Sequence, residues 1–334
     1  MGSIHIPSEI INNALGGLGV IGGIHFTVAQ LREAIDELKS LLRDPSLPFG
    51  VDLLIPKVGG SARKTNVDYT KGNLDELVQV IIEGGAKLFV CAVGIPPKRV
   101  VDKLHAAGVL YMNMVGHPKH VPRACSVGAD MICAQGAEAG GHTGEIPTSV
   151  LIPACSDICT KQRSQFTGRQ VLLVAAGGIG DGRGLASALM LGADAVWVGT
   201  RFVTARESGS PQISKRAIIE AGFDSTIRST FWTGRPLRAL ASPYVLDWET
   251  RRKEEMKALE GKGIVVMPHE MEKLHNRGEL SEDIEDQAAL RPMGYVSGLV
   301  NKADQTAAEI VTEMMEVASG LLRGTNKYFV SAKL

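Results

Sequence analysis

The sequence contains no apolar run close to the roughly 18 residues that a membrane-spanning helix requires, and its N-terminus lacks the basic-then-apolar layout of a secretory signal. An intracellular protein is expected. It also lacks any excess of charge, because 36 basic and 36 acidic side chains cancel; neither a nucleic acid nor an anionic membrane is indicated as a partner. Cysteine is sparse. The five cysteines, Cys91, Cys125, Cys133, Cys155 and Cys159, show no CxxC pairing, which argues against a zinc site or a disulfide framework and for buried free thiols. Cys155 and Cys159 stand four apart, a spacing that would also suit a metal on one helix face, but buried thiols are the preferred reading.

What is present is a rhythm. In 334 residues, 44% hydrophobic and 22% charged, short runs of Val, Ile and Leu alternate with segments whose apolar residues recur every three or four positions. That alternation marks repeated βα units around a parallel sheet. Strands are expected at 18–21, 49–55, 87–93, 110–115, 131–135, 171–175 and 195–198. All are apolar on both faces, as a sheet covered by helices requires. Helices are expected at 28–42, 74–83, 97–107 and 183–191, and the glycines after three of them suit left-handed caps.

The fold class expected is α/β, a TIM-type (β/α) barrel of 1–205, but seven strands are one short of closure. The shortfall falls at the front, where residues 8–14 suggest a first outer helix with only seven residues before it. A first strand would be a stub at Ile4–Ile6, come from another chain, or be missing from the gene model. Beyond Thr200 the pattern changes. Residues 206–247 look irregular, 249–286 are highly charged, and a last amphipathic helix spans 307–322; 206–325 is expected to form an appended helical subdomain over the barrel mouth, followed by a tail at 326–334.

Two segments carry chemistry. Ala175–Gly184, AAGGIGDGRG, follows a strand and opens a helix, and some twenty residues later the strand within AVWVGTRF ends at Gly199-Thr200. Glycines there let backbone N–H groups approach a phosphate, with the helix N-terminus adding positive potential. Consecutive turns of this kind after the last two strands are where such barrels hold phosphate. Gly177-x-x-Gly180-x-Gly182 does not match the GxGxxG dinucleotide fingerprint. The other segment, AQGAEAGGHTGEIPT at 134–148, places His142 amid four glycines at the end of a strand. An imidazole there can exchange a proton at neutral pH, although a histidine satisfied by local backbone fits the position as well. Of the remaining histidines only His117 and His120 follow a strand near the mouth; His25 and the rest have no comparable setting.

With these segments quoted, together with GGLGVIGG at 16–23, the chain resembles the nitronate monooxygenase family, FMN enzymes on a TIM barrel formerly called 2-nitropropane dioxygenases. The resemblance runs from about Ser8 to the C-terminus. It implies His142 as catalytic base, Gln135, Gly140 and Gly141 against the flavin, and Gly177, Gly178, Trp197, Val198, Gly199 and Thr200 around its phosphate. Where the family usually carries Asn on the strand that 49–55 occupies here, this chain offers Asp52 as the cofactor contact. Family members also open with a strand ending in a motif like Ala-Pro-Met along the flavin ring, which is absent here. The resemblance thus implies an intact phosphate anchor and leaves ring placement open.

The activity implied is FMN-dependent oxidation of alkyl nitronates or nitroalkanes by O2 to a carbonyl compound and nitrite. Two alternatives stay open: an FMN-dependent oxidoreductase of another activated carbon acid or of an enoyl or quinone substrate, and an impaired barrel acting as a binding partner. A small-molecule substrate and a homo-oligomer are compatible with either enzyme. The chain ends Ala332-Lys333-Leu334, a variant of the peroxisomal Ser-Lys-Leu address, so cytoplasm and peroxisome are both candidate locations.

Overall fold

The structure, a computed structural model, describes residues 17–325; the stub at Ile4–Ile6, the helix at 8–14 and the C-terminal tripeptide lie outside them. In chain order the barrel elements are β1 (Val20–Gly22), α1 (Val28–Leu41), β2 (Gly50–Leu54), α2 (Leu74–Glu83), β3 (Leu88–Ala92), α3 (Lys98–Ala106), β4 (Leu110–Val115), α4 (Val121–Val127), β5 (Met131–Gln135), β6 (Gly141–His142), α5 (Thr148–Cys159), β7 (Leu172–Ala176), α6 (Gly182–Met190) and β8 (Ala195–Trp197). After them come α7 (Thr200–Val203), α8 (Gln212–Ile219), β9 (Thr226–Ser229), β10 (Leu237–Leu240), α9 (Pro243–Glu249), α10 (Lys253–Gly261), α11 (Val266–Arg277), α12 (Glu282–Ala288) and α13 (Ala307–Arg323).

All seven strands expected from the sequence form one parallel sheet in the order β1-β2-β3-β4-β5-β7-β8. Side chains alternate along each strand. Val51, Leu53, Phe89, Cys91, Tyr111, Ile132 and Leu173 pack outward under the helices, while Leu88, Val90, Met112, Cys133 and Val174 meet inside, joined by Val20 of β1 and Trp197 of β8. Residues from both ends of the sheet share that interior, so the sheet curls round it. Among the described residues β1 and β8 each have a single strand neighbour.

The helices form for local reasons as well. A capping box between Thr27 and Gln30 starts α1, which buries Leu31, Ile35 and Leu38 at spacings of four and three. Gly85, Gly108 and Gly192 take positive φ after α2, α3 and α6, as the expected caps require.

Beyond Thr200 the structure departs from the expectation of a purely helical subdomain. The stretch that looked irregular contains α8 and the strands β9 and β10, and these strands join β6 in a three-stranded antiparallel sheet, β6-β10-β9. A separate core of Phe231, Trp232, Val245 and Trp248 fills the region. The last helix, α13, packs on α6, burying Ala307, Ile310, Met314 and Ala318, and Met314 and Ala318 also border the large cavity. Gly182 permits that crossing, since a Cβ there would lie 2.5 Å from the Met314 carbonyl and 2.7 Å from the Ala318 nitrogen. No helix among the described residues is long and apolar enough to cross a membrane.

Candidate functional site

The small sheet fixes His142. Gly141 and His142 pair antiparallel with Arg238 and Leu237, which anchors the glycine loop after β5 to a segment nearly a hundred residues further along the chain. The His142 Nε2 atom lies 3.0 Å from the Thr233 hydroxyl, and that hydroxyl in turn donates to the Arg235 carbonyl at 3.3 Å. Burial first, and the Arg235 charge second, pull the imidazole down to about 4, because both disfavour the cation. Arg235 is itself held by Asn66 Oδ1 at 2.9 Å and the Val93 carbonyl at 3.4 Å. His142 is therefore a neutral imidazole in ordinary conditions, facing a cavity of about 1650 Å³ that runs into the curled sheet.

Beside it lies a smaller cavity of about 210 Å³, walled by the two glycine turns and by Gln135, Gly140, Trp197 and Thr200. Gly177 and Gly178 hold φ of 93° and 72°, a left-handed pair that curves successive amides toward one side. A Cβ on Gly177 would come within 2.9 Å of the Gly136 carbonyl. On Gly140 it would come within 2.7 Å of Met293. The backbone of 136–140, 177–178 and 293–294 is thus packed as closely as glycine allows. Trp197 and Gly199 line both cavities, so the two are neighbours.

One expectation about this cradle is corrected. The N-terminus of α6 is not free to hold an anion, because the Asp181 side chain accepts from the Arg183 and Gly184 amides. The turn itself, not the helix end, offers the amides. One carboxylate, Glu138, lines the small cavity. It accepts from the Thr148 amide at 2.9 Å and the Thr148 hydroxyl at 2.8 Å, so its charge is answered by the start of α5.

Asp52 stands inside the sheet, paired in register with Gly22 and Val90, and lines the large cavity. It is the only carboxyl on the inner faces of the described strands. Its Oδ1 is shut off from solvent with no hydrogen-bond partner, and burial pushes the acid up to about 7. The five cysteines are buried, and burial pushes the Cys155 thiol up to about 12.

The candidate residues therefore converge. Asp52, Gly141, His142 and Val198 face the large cavity, Gln135, Gly140, Gly177, Gly178 and Thr200 face the small one, and Trp197 and Gly199 face both. His117 and His120 line neither; the His117 Nδ1 accepts from the Lys119 amide at 3.1 Å, a local cap. Sequence reasoning missed Thr233, Arg235 and the Met293-Gly294 passage, and it gave no setting to His25, which in fact lines the large cavity with Tyr69. Only the TGRP turn, next to an apolar strand, hinted at Thr233.

The family model for nitronate monooxygenase matches residues 11–316. The chain belongs to the nitronate monooxygenase family. Members of this family are flavoproteins in general, and the glycine cradle fits that character. The chain is 32% identical over 230 residues to a 5-hydroxy-7a-methyl-1-oxo-octahydro-1H-indene-4-carboxyl-CoA dehydrogenase of Mycobacterium tuberculosis, a match covering 69% of this chain and 58% of that protein. It is 31% identical over 263 residues to a probable nitronate monooxygenase of Staphylococcus saprophyticus, covering 70% and 71% of the two. Among solved structures it resembles FabK from Thermotoga maritima, with a TM-score of 0.73, 27% identity and coverage of 98% of this chain and 94% of that one. That likeness places the curled sheet among TIM-barrel-like folds.

Proposed function

We propose that the chain binds FMN and oxidises alkyl nitronates or nitroalkanes with O2 to a carbonyl compound and nitrite. The observation that carries this reading is His142, held neutral and tethered through Thr233, on the wall of a large apolar cavity that shares Trp197 and Gly199 with the glycine cradle. Proton abstraction beside an electron-withdrawing group needs an unprotonated base within reach of the carbon. His142 supplies one, and as the cation it would stabilise the anion it has made. A nitronate entering as the anion bypasses that step. The amides of Gly177–Gly178 and Gly199–Thr200 would hold the FMN phosphate, with Gln135, Gly140, Gly141, Trp197, Val198 and Asp52 lining the space beside it. When bound, the flavin supplies the redox chemistry between substrate and oxygen.

A second reading has specific support in the 32% identity to a carboxyl-CoA dehydrogenase: an FMN-dependent oxidoreductase of another activated carbon acid, for which His142 is equally suited. Anaerobic mixing separates the two. A nitronate should bleach the bound flavin without any nicotinamide, whereas a reductase should require NAD(P)H. Purified protein without a visible flavin band would exclude both.

A further inference from the structure

An ionisable side chain stands in the middle of the apolar inner wall. Asp52 is held in register between Gly22 of β1 and Val90 of β3, with Met112 of β4 beyond. Val90 and Met112 belong to the apolar interior and offer a carboxylate no side-chain donor. Gly22 has no side chain, and a Cβ placed there would meet nothing within 4 Å, so the carboxyl has open space on its β1 side. Asp52 and Gly22 both line the large cavity.

The residue is half-buried. Its Oδ1 is shut off without a partner, and its other oxygen bonds no described residue. A carboxyl so placed, with neither donor nor cation, is disfavoured as the anion. Burial raises it to about 7. A buried oxygen tolerates a missing partner better as C=O than as a donor, which leaves the hydroxyl on the oxygen that the cavity reaches.

Other ionisable groups do not compete in that range. The Cys91 and Cys133 thiols, which feel Asp52, are pushed well above the ordinary thiol range. His142 is neutral above about 4, burial and then the Lys71 charge lower His25, and burial raises Tyr69. Asp194, Glu285, Arg291 and Arg323 complete the charged groups on the cavity wall. Asp194 accepts from the Leu173 amide at 2.7 Å, Arg291 is paired with Asp286, and Glu285 and Arg323 are exposed; none of the four acts on Asp52.

We propose that Asp52 is a proton-gated specificity residue: as the neutral acid its hydroxyl donates to an anionic oxygen of the cavity's occupant, a nitronate or carboxylate, and as the carboxylate it repels that ligand. This rests on the reading of the large cavity as the substrate site. Above pH 7 an anion then enters together with a proton, which passes from the buffer to Asp52.

The test is calorimetric titration of the purified protein with valerate, a carboxylate that stays ionised from pH 6 to 9 and whose binding does not depend on turnover. In the parent we expect Kd to weaken about tenfold for each pH unit above 7, because each ligand then carries about one proton with it. At pH 8 the heat should differ between phosphate and Tris, which release that proton with different enthalpies. Asp52→Asn keeps a donor and cannot ionise, so its Kd should stay flat across the range with equal heats in both buffers. Asp52→Leu has no donor and should bind about tenfold more weakly than the parent at pH 6, as for one lost hydrogen bond; should it melt below the assay temperature, the flat profile of Asp52→Asn decides alone. A parent Kd independent of pH, the same slope in Asp52→Asn, or no binding by the parent at pH 6 would overturn the inference. So would a visible flavin band that shifts between pH 6 and 8 without valerate and only in the parent, since the hydroxyl would then serve the flavin. If proton-linked binding appears but nitronates are not oxidised, the proposed activity fails and this role stands. Turnover with binding that ignores pH gives the converse.

Discussion

His142 Nε2 and the Thr233 hydroxyl lie 3.0 Å apart although 91 residues separate them in the chain. The Arg235 carbonyl can only accept, and it receives the single hydroxyl proton at 3.3 Å. With its proton on that carbonyl, Thr233 accepts from the His142 tautomer protonated at Nε2, the form in which Nδ1 is the basic atom. His142→Ala should retain the proposed flavin, because the cradle is backbone, and should lose about 10²–10⁴-fold in kcat on a neutral nitroalkane. Activity on pre-formed nitronate should fall much less. Equal turnover of both substrates by variant and parent would remove His142 as the base.

The acid limb of the pH profile should sit unusually low. With the imidazole pulled down to about 4, its basic form persists well below the ordinary histidine range, so kcat/KM for a neutral nitroalkane should hold as pH falls through 6 and decline only toward 4. Thr233→Val removes the acceptor for Nε2–H. It should lower kcat by about tenfold through loss of tautomer and orientation, worth one hydrogen bond, with little change in flavin content. A limb near pH 6.5 in the parent would show that the site is wetter than its geometry indicates.

The proposed phosphate cradle is tested at Gly178. Its φ of 72° disfavours any side chain, and a Cβ there would point at Glu138, 3.2 Å from its Cβ. Gly178→Asp adds about 1–2 kcal/mol of backbone strain and a second carboxylate to the small cavity. The purified variant should be colourless yet folded, with a denaturant midpoint lowered accordingly. Retention of one flavin per chain would place the phosphate elsewhere.

Much of this was legible because a strand buried on both faces must be apolar at every position, so β1 to β5, β7 and β8 stand out as short continuous runs. The glycines at 177–178 and 199 were legible for a related reason: each ends such a run. The small sheet was not. β6 is two residues long, and its partner β10 lies about ninety-five positions away; no local pattern in Gly141-His142 announces that pairing. The same distance hid Thr233 and Arg235. For α13, the periodicity of Ile310, Met314 and Ala318 showed that one face is buried but not which neighbour buries it. His25 was passed over because its place on the cavity wall is a property of the folded chain.

The contact between α13 and α6 tests one wall of the large cavity, which Met314 and Ala318 line. Gly182→Ala would drive a methyl group to 2.5 Å from the Met314 carbonyl and 2.6 Å from Val317 Cβ, and backbone cannot yield as a side-chain tip does. Overpacking of this kind costs about 1–3 kcal/mol. The melting temperature should fall while flavin binding and kcat at low temperature stay near the parent values. An unchanged melting temperature would mean that α13 is free to shift.

Asp52 gives the sharpest pH signature. Its acid is raised from 3.8 to about 7 by burial, with Oδ1 unpaired. The folded protein therefore holds a proton that the unfolded chain releases between those two values, and linkage makes Asp52 lower stability progressively as pH rises from about 4 to 7, with the full cost present above 7. Asparagine has nearly the same shape and no charge to bury. Asp52→Asn should match the parent near pH 4 and exceed it by about 2–4 kcal/mol at pH 8, the size set by a shift of roughly three units at 1.36 kcal/mol each. Urea midpoints for both proteins across that range measure the difference directly. A difference independent of pH would mean that water or a neighbouring group already satisfies the carboxylate, and the neutral acid in the large cavity would have to be abandoned.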